Sequence, residues 1–369
     1  MSRTQQLITY MGNKRKLISA IESVIVDLKT SLGKEKIDIA EPFSGSGVVS
    51  RMLRDHANSL YVNDLASYAE DISWCYLNYA DPVETCAIDE EIRKATAFVD
   101  SNPDCVEPWM QTHWTCKDEN DVKYEERLYY TMENARRIDG YRYYIDNICP
   151  QERRCALMGP LLYEASVHTN TNGNFSGFYR SKEGTPWGGD RSIDIKRITA
   201  PITLSPPVLP AEPLSGELVI ERRNAGEWIA DLPEVDVVYI DPPYNKHPYA
   251  TYYFMLELIS DWDPSIKIPP TTRGQPQDWT RSPFNSFVHA KTAMLALLKS
   301  IKAKYIVLSY NNRGIIEQDE MVEILEQVGS VNLIELSHNT YNKMQGIAAK
   351  KRTKPDKKTV EQLWVVECQ

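Results

Sequence analysis

The feature that most constrains the fold is an apolar strand that runs into a glycine loop, a helix and a second strand. Residues 36–47 read KIDIAEPFSGSG, an apolar run that ends in a loop containing Gly45 and Gly47. Residues 48–57 have a helical pattern, and residues 59–66 form the next apolar run. Glycine lets the backbone turn sharply between a strand and a helix. A β-loop-α-β unit of this kind predicts the start of a doubly wound α/β sheet.

The same alternation returns in the C-terminal part of the chain. Strands are predicted at 236–241, 305–310, 331–337 and 361–368. Helices are predicted at 252–262, 287–302 and 318–329. Between them and the first unit the sequence is rich in aromatic and charged residues, and it closes with a proline-rich stretch, 201–217. We therefore predict one discontinuous sheet domain, residues 1–85 and 218–369, interrupted by an insertion at 86–217.

Bulk composition places the chain among globular proteins of the cytoplasm. The chain has 369 residues, of which 42% are hydrophobic, enough for one large domain with an insertion. It contains no run of 18 apolar residues, and its N-terminus lacks the apolar core of a secretory signal. The seven cysteines are odd in number and form no CxxC pair, which is typical of thiols kept reduced.

Four side chains could be imagined around a zinc ion: Cys86, Cys105, His113 and Cys116. Their spacing matches no standard zinc finger. We therefore predict no metal site.

Two acidic residues, Asp64 and Asp241, lie where strands are predicted to end. The stretch DVVYIDPPYNKHPY places Asp241 at the end of a β-branched apolar run, and two prolines then stop the strand. Ligands of α/β sheets bind outside the carboxyl ends of the strands. Asp64 ends the second predicted strand, where a carboxylate either accepts hydrogen bonds from ribose hydroxyls or caps a helix.

Four motifs in this order resemble one enzyme family. They are Tyr10 to Lys14 (Tyr-Met-Gly-Asn-Lys), Phe43 to Gly47 (Phe-Ser-Gly-Ser-Gly), the long insertion, and Asp241 to Tyr244 (Asp-Pro-Pro-Tyr). The sequence resembles the Dam-like D12 (alpha) class of DNA adenine-N6 methyltransferases. The resemblance implies an S-adenosylmethionine-dependent methyltransferase sheet with an inserted target-recognition domain. It also implies a bacterial or phage-encoded monomer that acts on double-stranded DNA at a short target site, in some cases beside a cognate restriction endonuclease.

The chemistry of the Asp-Pro-Pro-Tyr stretch fits that resemblance. The exocyclic amine of adenine is a poor nucleophile, because its lone pair is delocalised into the ring. The Asp241 carboxylate and the Pro242 carbonyl can accept hydrogen bonds from both N–H groups, so that the nitrogen becomes tetrahedral as it attacks the methyl group. Pro242 and Pro243 stiffen the loop, and Tyr244 offers a ring on which a flipped-out base can stack.

The resemblance also assigns a set of cofactor-binding residues. They are Tyr10, Lys14, Glu41, Phe43, Ser44, Gly45, Gly47, Asp64, Asn224 and Asp241. In this assignment Lys14 pairs with the methionine carboxylate, and Asp64 accepts from the ribose. Asn224 stands where the family commonly has an aspartate near the cofactor adenine, and an amide can also hydrogen-bond a purine.

The predicted DNA contacts come from three segments. Residues 168–182, HTNTNGNFSGFYRSK, combine Asn, Gly and aromatic residues, which suits either a loop that reads base edges or a plain turn. From it we select Asn170, Asn172 and Arg180, and from the stretch after the catalytic loop Tyr249. The run 343–358 carries seven Lys or Arg against one Asp in a chain of net charge −9, so phosphate contact is predicted there. Its selected residues are Lys343, Lys350, Lys351 and Arg352.

Three alternatives remain at this point. The first is methylation of RNA adenine, since some RNA enzymes also use Asp-Pro-Pro-Tyr. The second is a catalytically silent DNA-binding relative, although Asp241 and the glycine loop are intact. The third is a dehydrogenase, against which the incomplete glycine fingerprint argues.

Overall fold

The computed structural model describes residues 7–181, 185–188, 194–246, 248–277, 282–337 and 360–369. Within these ranges the chain forms a seven-stranded sheet with the order β3-β2-β1-β4-β5-β7-β6. The strands are β1 (Ile37–Glu41), β2 (Ala57–Asp64), β3 (Leu218–Arg222), β4 (Val235–Ile240), β5 (Ala303–Asn311), β6 (Gly329–Ser337) and β7 (Val360–Cys368).

The sheet is doubly wound, as predicted. Strands β1 to β5 are parallel, and β7 runs antiparallel between β5 and β6. The order changes direction between β1 and β4, which pair at Ile39 and Val237. A crevice opens at such a switch point, outside the carboxyl ends of the strands. Strand β3 was not predicted as a strand.

The described part of the chain contains twelve α-helices. They are α1 (Ile18–Leu32), α2 (Val48–Arg54), α3 (Ser67–Leu77), α4 (Pro82–Asp100), α5 (Trp109–His113), α6 (Met132–Asn147), α7 (Arg154–Val167), α8 (Ile195–Thr199), α9 (Ala225–Asp231), α10 (Tyr249–Asp261), α11 (Ala290–Ser300) and α12 (Gln318–Leu325). None of these helices is both long and apolar enough to cross a membrane.

Strand β4 shows why the sheet is covered on both faces. Val237 and Tyr239 pack with α1 and α2 in one core. Val238 and Ile240 pack with α9, α11 and α12 in another. Successive side chains of a strand point to opposite faces, so a continuous apolar run predicts burial on both sides. Every residue of β4 is buried.

The helices of the insertion share a third core with the sheet domain. Buried side chains of α4, α6 and α7 pack with those of α3 and α10. Asp71 of α3 reinforces this contact, because it accepts hydrogen bonds from Arg154 of α7 and Ser260 of α10. Helix α4 also runs across the boundary drawn at 85–86. The division into two functional parts therefore remains a prediction, and the parts pack as one body around α3 and α10.

We expect the substitution Gly159→Ala to loosen the contact between α7 and α3. A Cβ atom at Gly159 would lie 2.5 Å from Cys75 Sγ and 2.7 Å from its Cβ. Overpacking of this kind costs about 1–3 kcal/mol, which outweighs the gain of helix propensity from alanine. The measurement is the midpoint of guanidinium unfolding. Gly177→Ala is the control, because its Cβ would approach nothing closer than Arg273 Nε at 3.9 Å. Equal stability of the two variants would contradict this packing.

Candidate active site

A cavity of about 660 Å³ opens at the carboxyl ends of β1, β2 and β4. Most of the predicted site residues line it. They are Tyr10, Lys14, Glu41, Phe43, Ser44, Gly45, Asp64, Asn224, Asp241, Pro243 and Tyr249. The cavity therefore lies where the switch point predicts a ligand, and it has the volume of a small-molecule site.

The glycine loop contacts Asp64 at the end of β2 on one side and Tyr10 of the N-terminal segment on the other. Gly45 and Gly47 have φ angles of 52° and 70°, in the left-handed region that favours glycine. Gly45 N donates a hydrogen bond of 2.7 Å to Asp64 Oδ2. A Cβ atom at Gly45 would lie 3.1 Å from the Tyr10 ring, so glycine also lets the N-terminal segment approach closely. Gly47 precedes α2 and supports the turn rather than lining the cavity.

The Asp64 carboxylate is held by backbone donors on two sides, and its predicted contact with a ribose stays a prediction. Its Oδ1 accepts a hydrogen bond from Ala66 N, directly before α3, and its Oδ2 accepts from Gly45. Its carboxylate also borders the cavity, and burial raises its pKa. A carboxylate has about four acceptor positions, so two backbone donors leave room for hydroxyl groups of a ligand.

Glu41 is a buried acid at the cavity wall. Its side chain is 1% exposed, and its Oε2 has no hydrogen-bond partner among the described residues. Burial raises its pKa to about 8, and the nearby charges of Asp241 and Asp64 act in the same direction. A carboxyl group held in this way would be stabilised in its ionised form by a cation in the cavity.

Asp241 forms a buried ion pair with Lys14. The Lys14 Nζ lies 2.9 Å from Asp241 Oδ1 and 3.8 Å from Glu361 Oε2. It also lies 5.1 Å from the centre of the Tyr244 ring. Burial raises the pKa of Asp241 to about 6, although the positive charge of Lys14 opposes this shift. The structure thus brings Lys14 to the Asp241 carboxylate, and the predicted pairing of Lys14 with a methionine carboxylate stays a prediction.

The Asp-Pro-Pro-Tyr loop is held from two sides. Ile315 N donates to the Tyr244 carbonyl over 3.1 Å, and Asn285 Nδ2 donates to the Asn245 carbonyl over 2.6 Å. The Tyr244 ring meets Tyr310 edge-on, with 5.8 Å between centroids. Pro242 is buried. The loop is therefore braced by its neighbours as well as stiffened by its prolines.

Three tyrosine rings stack beside the catalytic loop. Tyr10 lies 5.1 Å from Tyr249 and 4.7 Å from Tyr253, measured between centroids. The Tyr253 hydroxyl accepts a hydrogen bond from Met11 N, and the Tyr249 hydroxyl donates one to the Met11 carbonyl. Gly12 has φ 73°, and a Cβ there would lie 2.6 Å from the Tyr244 hydroxyl. The N-terminal segment is thus packed against both the glycine loop and the catalytic loop.

Asn224 lies at the cavity edge but is already engaged. Its Oδ1 accepts a hydrogen bond from Gly226 N over 2.9 Å, which caps the start of α9. Its side chain is exposed and borders the cavity. An approach to a purine remains a prediction.

Two of the residues predicted to contact DNA, Asn170 and Arg180, are held by hydrogen bonds within the protein. Asn170 is fully buried: its amide donates to the Leu128 and Tyr179 carbonyls and its oxygen accepts from Gly188 N. The Arg180 guanidinium donates to backbone carbonyls, including that of Glu126. Both placements favour a role in holding the loop over direct contact with a base.

Among the other predicted DNA contacts, Tyr249 is stacked on Tyr10, as described above. Asn172 is exposed and free to face a ligand surface. The basic residues Lys343, Lys350, Lys351 and Arg352 lie outside the described residues.

Some site residues were not found by reading the sequence. Glu361 stands at the start of β7, where a lone glutamate has no distinguishing pattern. Asn285 follows no motif, and its role depends on a long-range contact with Asn245. Asn63 is 1% exposed and bonds the backbone of Pro42 and Arg223, which ties the ends of β1, β2 and β3 together. In the sequence, the position of Asn63 next to Asp64 was the feature that could have indicated its role. Within the described ranges, no three His, Cys, Asp or Glu side chains are arranged to share a metal ion.

Comparison with known proteins decides the family. Residues 10–187 and 215–324, well over half of the chain, match the family model of D12 class N6 adenine-specific DNA methyltransferases. The chain belongs to this family. The family inferred from the four motifs is thereby confirmed, and the alternative of a dehydrogenase is wrong.

The individual relatives have low sequence identity to this chain, but the matched regions cover most of it. The methyltransferase is 23% identical over 365 residues to the type II methyltransferase M.NlaIII of Neisseria lactamica, covering 98% of this chain and 99% of that protein. It is 24% identical to the modification methylase LlaI of Lactococcus lactis, over 90% of this chain and 50% of that protein. It is also 24% identical to the modification methylase StsI of Streptococcus sanguinis, over 97% and 51%. The chain thus spans about half the length of the last two.

We expect Glu41→Gln to stabilise the methyltransferase increasingly as pH rises. The pKa of Glu41 is raised from 4.5 to about 8, so its contribution to stability is fully present below pH 4.5 and lost as pH rises through about 8. Gln keeps the shape and cannot ionise. Since one pKa unit is about 1.4 kcal/mol and about three units separate pH 5 from the raised pKa, the difference in unfolding free energy between variant and wild type should grow by about 4 kcal/mol from pH 5 to pH 9. Denaturant unfolding at both pH values measures it, and a constant difference would contradict the burial of an unpaired carboxyl.

Proposed function

We propose that the protein is a site-specific DNA adenine-N6 methyltransferase that moves the methyl group of S-adenosylmethionine to a flipped-out adenine by direct displacement. Membership of the family supports the reaction class. The observation that carries the proposal is that Asp241, directly before Pro242, lines the same cavity as Glu41 and the glycine loop.

The cavity fits the proposed cofactor in charge and size. S-adenosylmethionine carries an ammonium and a sulfonium, and the cavity is lined by Glu41, whose Oε2 has no hydrogen-bond partner among the described residues. Asp64 offers free acceptor positions for ribose hydroxyls, and Asn224 stands at the edge near α9 for the adenine. When bound there, S-adenosylmethionine would supply an electrophilic methyl group.

Asp241 and Pro242 act on the nucleophile. Asp241 accepts one N–H of the adenine amino group, and the Pro242 carbonyl accepts the other. Both acceptors withdraw the nitrogen lone pair from conjugation with the ring as the nitrogen becomes tetrahedral. The bracing of the loop by Asn285 and Ile315 keeps the two acceptors in place before the base arrives.

Aromatic side chains beside Asp241 suit a base taken out of the duplex. Tyr244 follows the two prolines, and Tyr249 lines the same cavity. Base–aromatic stacking compensates for part of the stacking that is lost on flipping. We propose Tyr244 as the stacking platform and Tyr249, already stacked on Tyr10, as the wall of the pocket.

The proposed partner is double-stranded DNA with a short target site. The insertion, residues 86–217, would supply recognition, with Asn172 as an exposed candidate for base contact. The basic residues of 343–358 would contact phosphates. A cognate restriction endonuclease is proposed as a functional partner, because LlaI and StsI are named as modification methylases. A monomer is the proposed state.

The first test is transfer of tritium from labelled S-adenosylmethionine to unmethylated DNA, with matched RNA beside it. We expect label in DNA at adenine within one short sequence. Asp241→Asn should lower the transfer rate by about a thousandfold or more while the protein stays folded, since the variant loses the charged acceptor. Asp231→Asn, an exposed acid that pairs with Arg223, is the matched control and should remain active. Label only in RNA would refute the substrate, and full activity of Asp241→Asn would refute the mechanism.

A second prediction concerns protons released when S-adenosylmethionine binds. Glu41 has a pKa of about 8 in the free protein, and a cation beside it would lower this value. At pH 7.5 binding should therefore release roughly 0.7 proton per site. Isothermal titration calorimetry in buffers of different ionisation enthalpy measures this number. The Glu41→Gln variant should bind more weakly and release almost none, and equal release by both proteins would exclude Glu41 as the group.

A further inference from the structure

Glu361 faces the catalytic ion pair from a distant part of the chain. Its Oε2 lies 3.8 Å from Lys14 Nζ, which in turn lies 2.9 Å from Asp241 Oδ1. The three side chains are 19%, 2% and 20% exposed, in the order Glu361, Lys14 and Asp241. Two carboxylates therefore share one ammonium group in a site largely closed to water.

The backbone of Glu361 is held firmly at the catalytic edge of the sheet. Glu361 pairs with Asn311 of β5 in the antiparallel register. The preceding residue, Val360, exchanges two hydrogen bonds with Asn312, one to its side chain and one to its backbone, both of 3.1 Å. The position of the Glu361 carboxylate next to Lys14 is thus set by the sheet.

Lys14 lies closer to Asp241 than to Glu361, and both carboxylates are within ion-pair distance of its ammonium group. Lys14 Nζ, Asp241 Oδ1 and Glu361 Oε2 are shielded from solvent, and within the described part of the chain none makes a well-aligned hydrogen bond. A buried ammonium without a partner is very costly, so Lys14 must keep an anion near it at every stage. In this arrangement two anions are within reach.

A tight pair with Lys14 would conflict with the proposed role of Asp241 because it fixes the orientation of the carboxylate, even though the carboxylate has further acceptor positions. The carboxylate must offer an oxygen to the adenine amino group, and Lys14 occupies the surroundings of Oδ1. A second acceptor resolves the conflict, because the ammonium can shift toward it without becoming unpaired. Glu361 is the carboxylate placed for this.

We propose that Glu361 is a positioning residue that takes up the Lys14 ammonium while Asp241 accepts the amino group of the target adenine. This rests on the proposed function of Asp241. Glu361 keeps Lys14 neutralised throughout the reaction and leaves the Asp241 carboxylate free to turn. It touches neither the base nor the cofactor.

Other titratable groups face Asp241 and are common to all variants. They are Lys14 of the N-terminal segment, Glu41 of β1, Tyr239 of β4, Tyr244 of the catalytic loop and Tyr249 of α10. The negative charge of Glu361 raises the pKa of Asp241. Removing that charge should therefore lower the pKa of Asp241, and no change in the remaining groups is needed for this effect.

The test compares Glu361→Gln with Glu367→Gln, an exposed glutamate at the other end of the same strand. The single-turnover rate of methyl transfer to duplex DNA is measured from pH 5 to pH 9. In the wild type we expect activity to fall as pH drops through about 6, where Asp241 is protonated. Glu361→Gln should be about tenfold slower at neutral pH, because Lys14 stays on Asp241. Its acid limb should also move to lower pH.

The controls separate positioning from mere stability. Glu361→Asp should recover part of the rate, and Glu367→Gln should match the wild type in rate and pH profile. As a readout independent of activity, carbon-13 NMR of labelled aspartate, assigned with Asp241→Asn, should show a lower pKa of Asp241 in Glu361→Gln.

Two results would overturn the proposal. A wild-type rate in Glu361→Gln would show that Lys14 needs no second acceptor. A slower Glu361→Gln with an unmoved acid limb and an unmoved Asp241 resonance would leave Glu361 a structural role alone. Failure of the proposed function can be distinguished from failure of this proposal. In that case the wild type itself transfers no label to adenine, or Asp241→Asn remains fully active.

Discussion

The carboxyl ends of β1 and β4 lie side by side where the sheet changes its direction of growth, and the active site depends on this pairing. Glu41 ends β1 and Asp241 directly follows β4. Both therefore open into one cavity, although they are far apart in sequence. A site for a methyl donor and a site for an acceptor amine must be contiguous, and a switch point provides that geometry without any special loop.

The same pairing concentrates acids where water is scarce. Glu41, Asp64, Asp241 and Glu361 all face the carboxyl edge, and burial is the main reason that the pKa values of the first three are raised. Such a cluster destabilises the free protein at neutral pH. The cluster becomes favourable when cations and amino groups fill the cavity. The free protein is therefore less stable, and in return its acceptor groups are already in place for the ligands, as is usual at functional sites.

The parts of this site that the sequence could predict are those carried by local patterns. The glycine loop, Asp64 and Asp241 each end a recognisable strand, so their place at one edge follows from topology alone. Glu361 could not be found, because its partner Lys14 is brought to it only by the fold. Asn170 and Arg180 looked like DNA contacts, yet internal carbonyls hold their donor groups, and hydrogen-bond partners cannot be read from composition. Helices such as α6 were missed because buried polar residues, Asp139 and Arg142 among them, break the apolar period.

Helix α10 connects the insertion to the N-terminal segment and to the cavity. This helix starts at Tyr249 and is kinked at Tyr253, whose φ and ψ are −123° and 15°. Next to the kink, the Tyr252 carbonyl accepts a hydrogen bond of 2.7 Å from Phe175 N, in the Asn- and Gly-rich loop of the insertion. Tyr253 in turn holds Met11 of the N-terminal segment. A shift of this loop would therefore be passed to the helix that carries Tyr249 and to the segment that carries Lys14. The Asn- and Gly-rich loop, α10 and the N-terminal segment are thus joined by hydrogen bonds to the Tyr252 carbonyl and the Tyr253 hydroxyl.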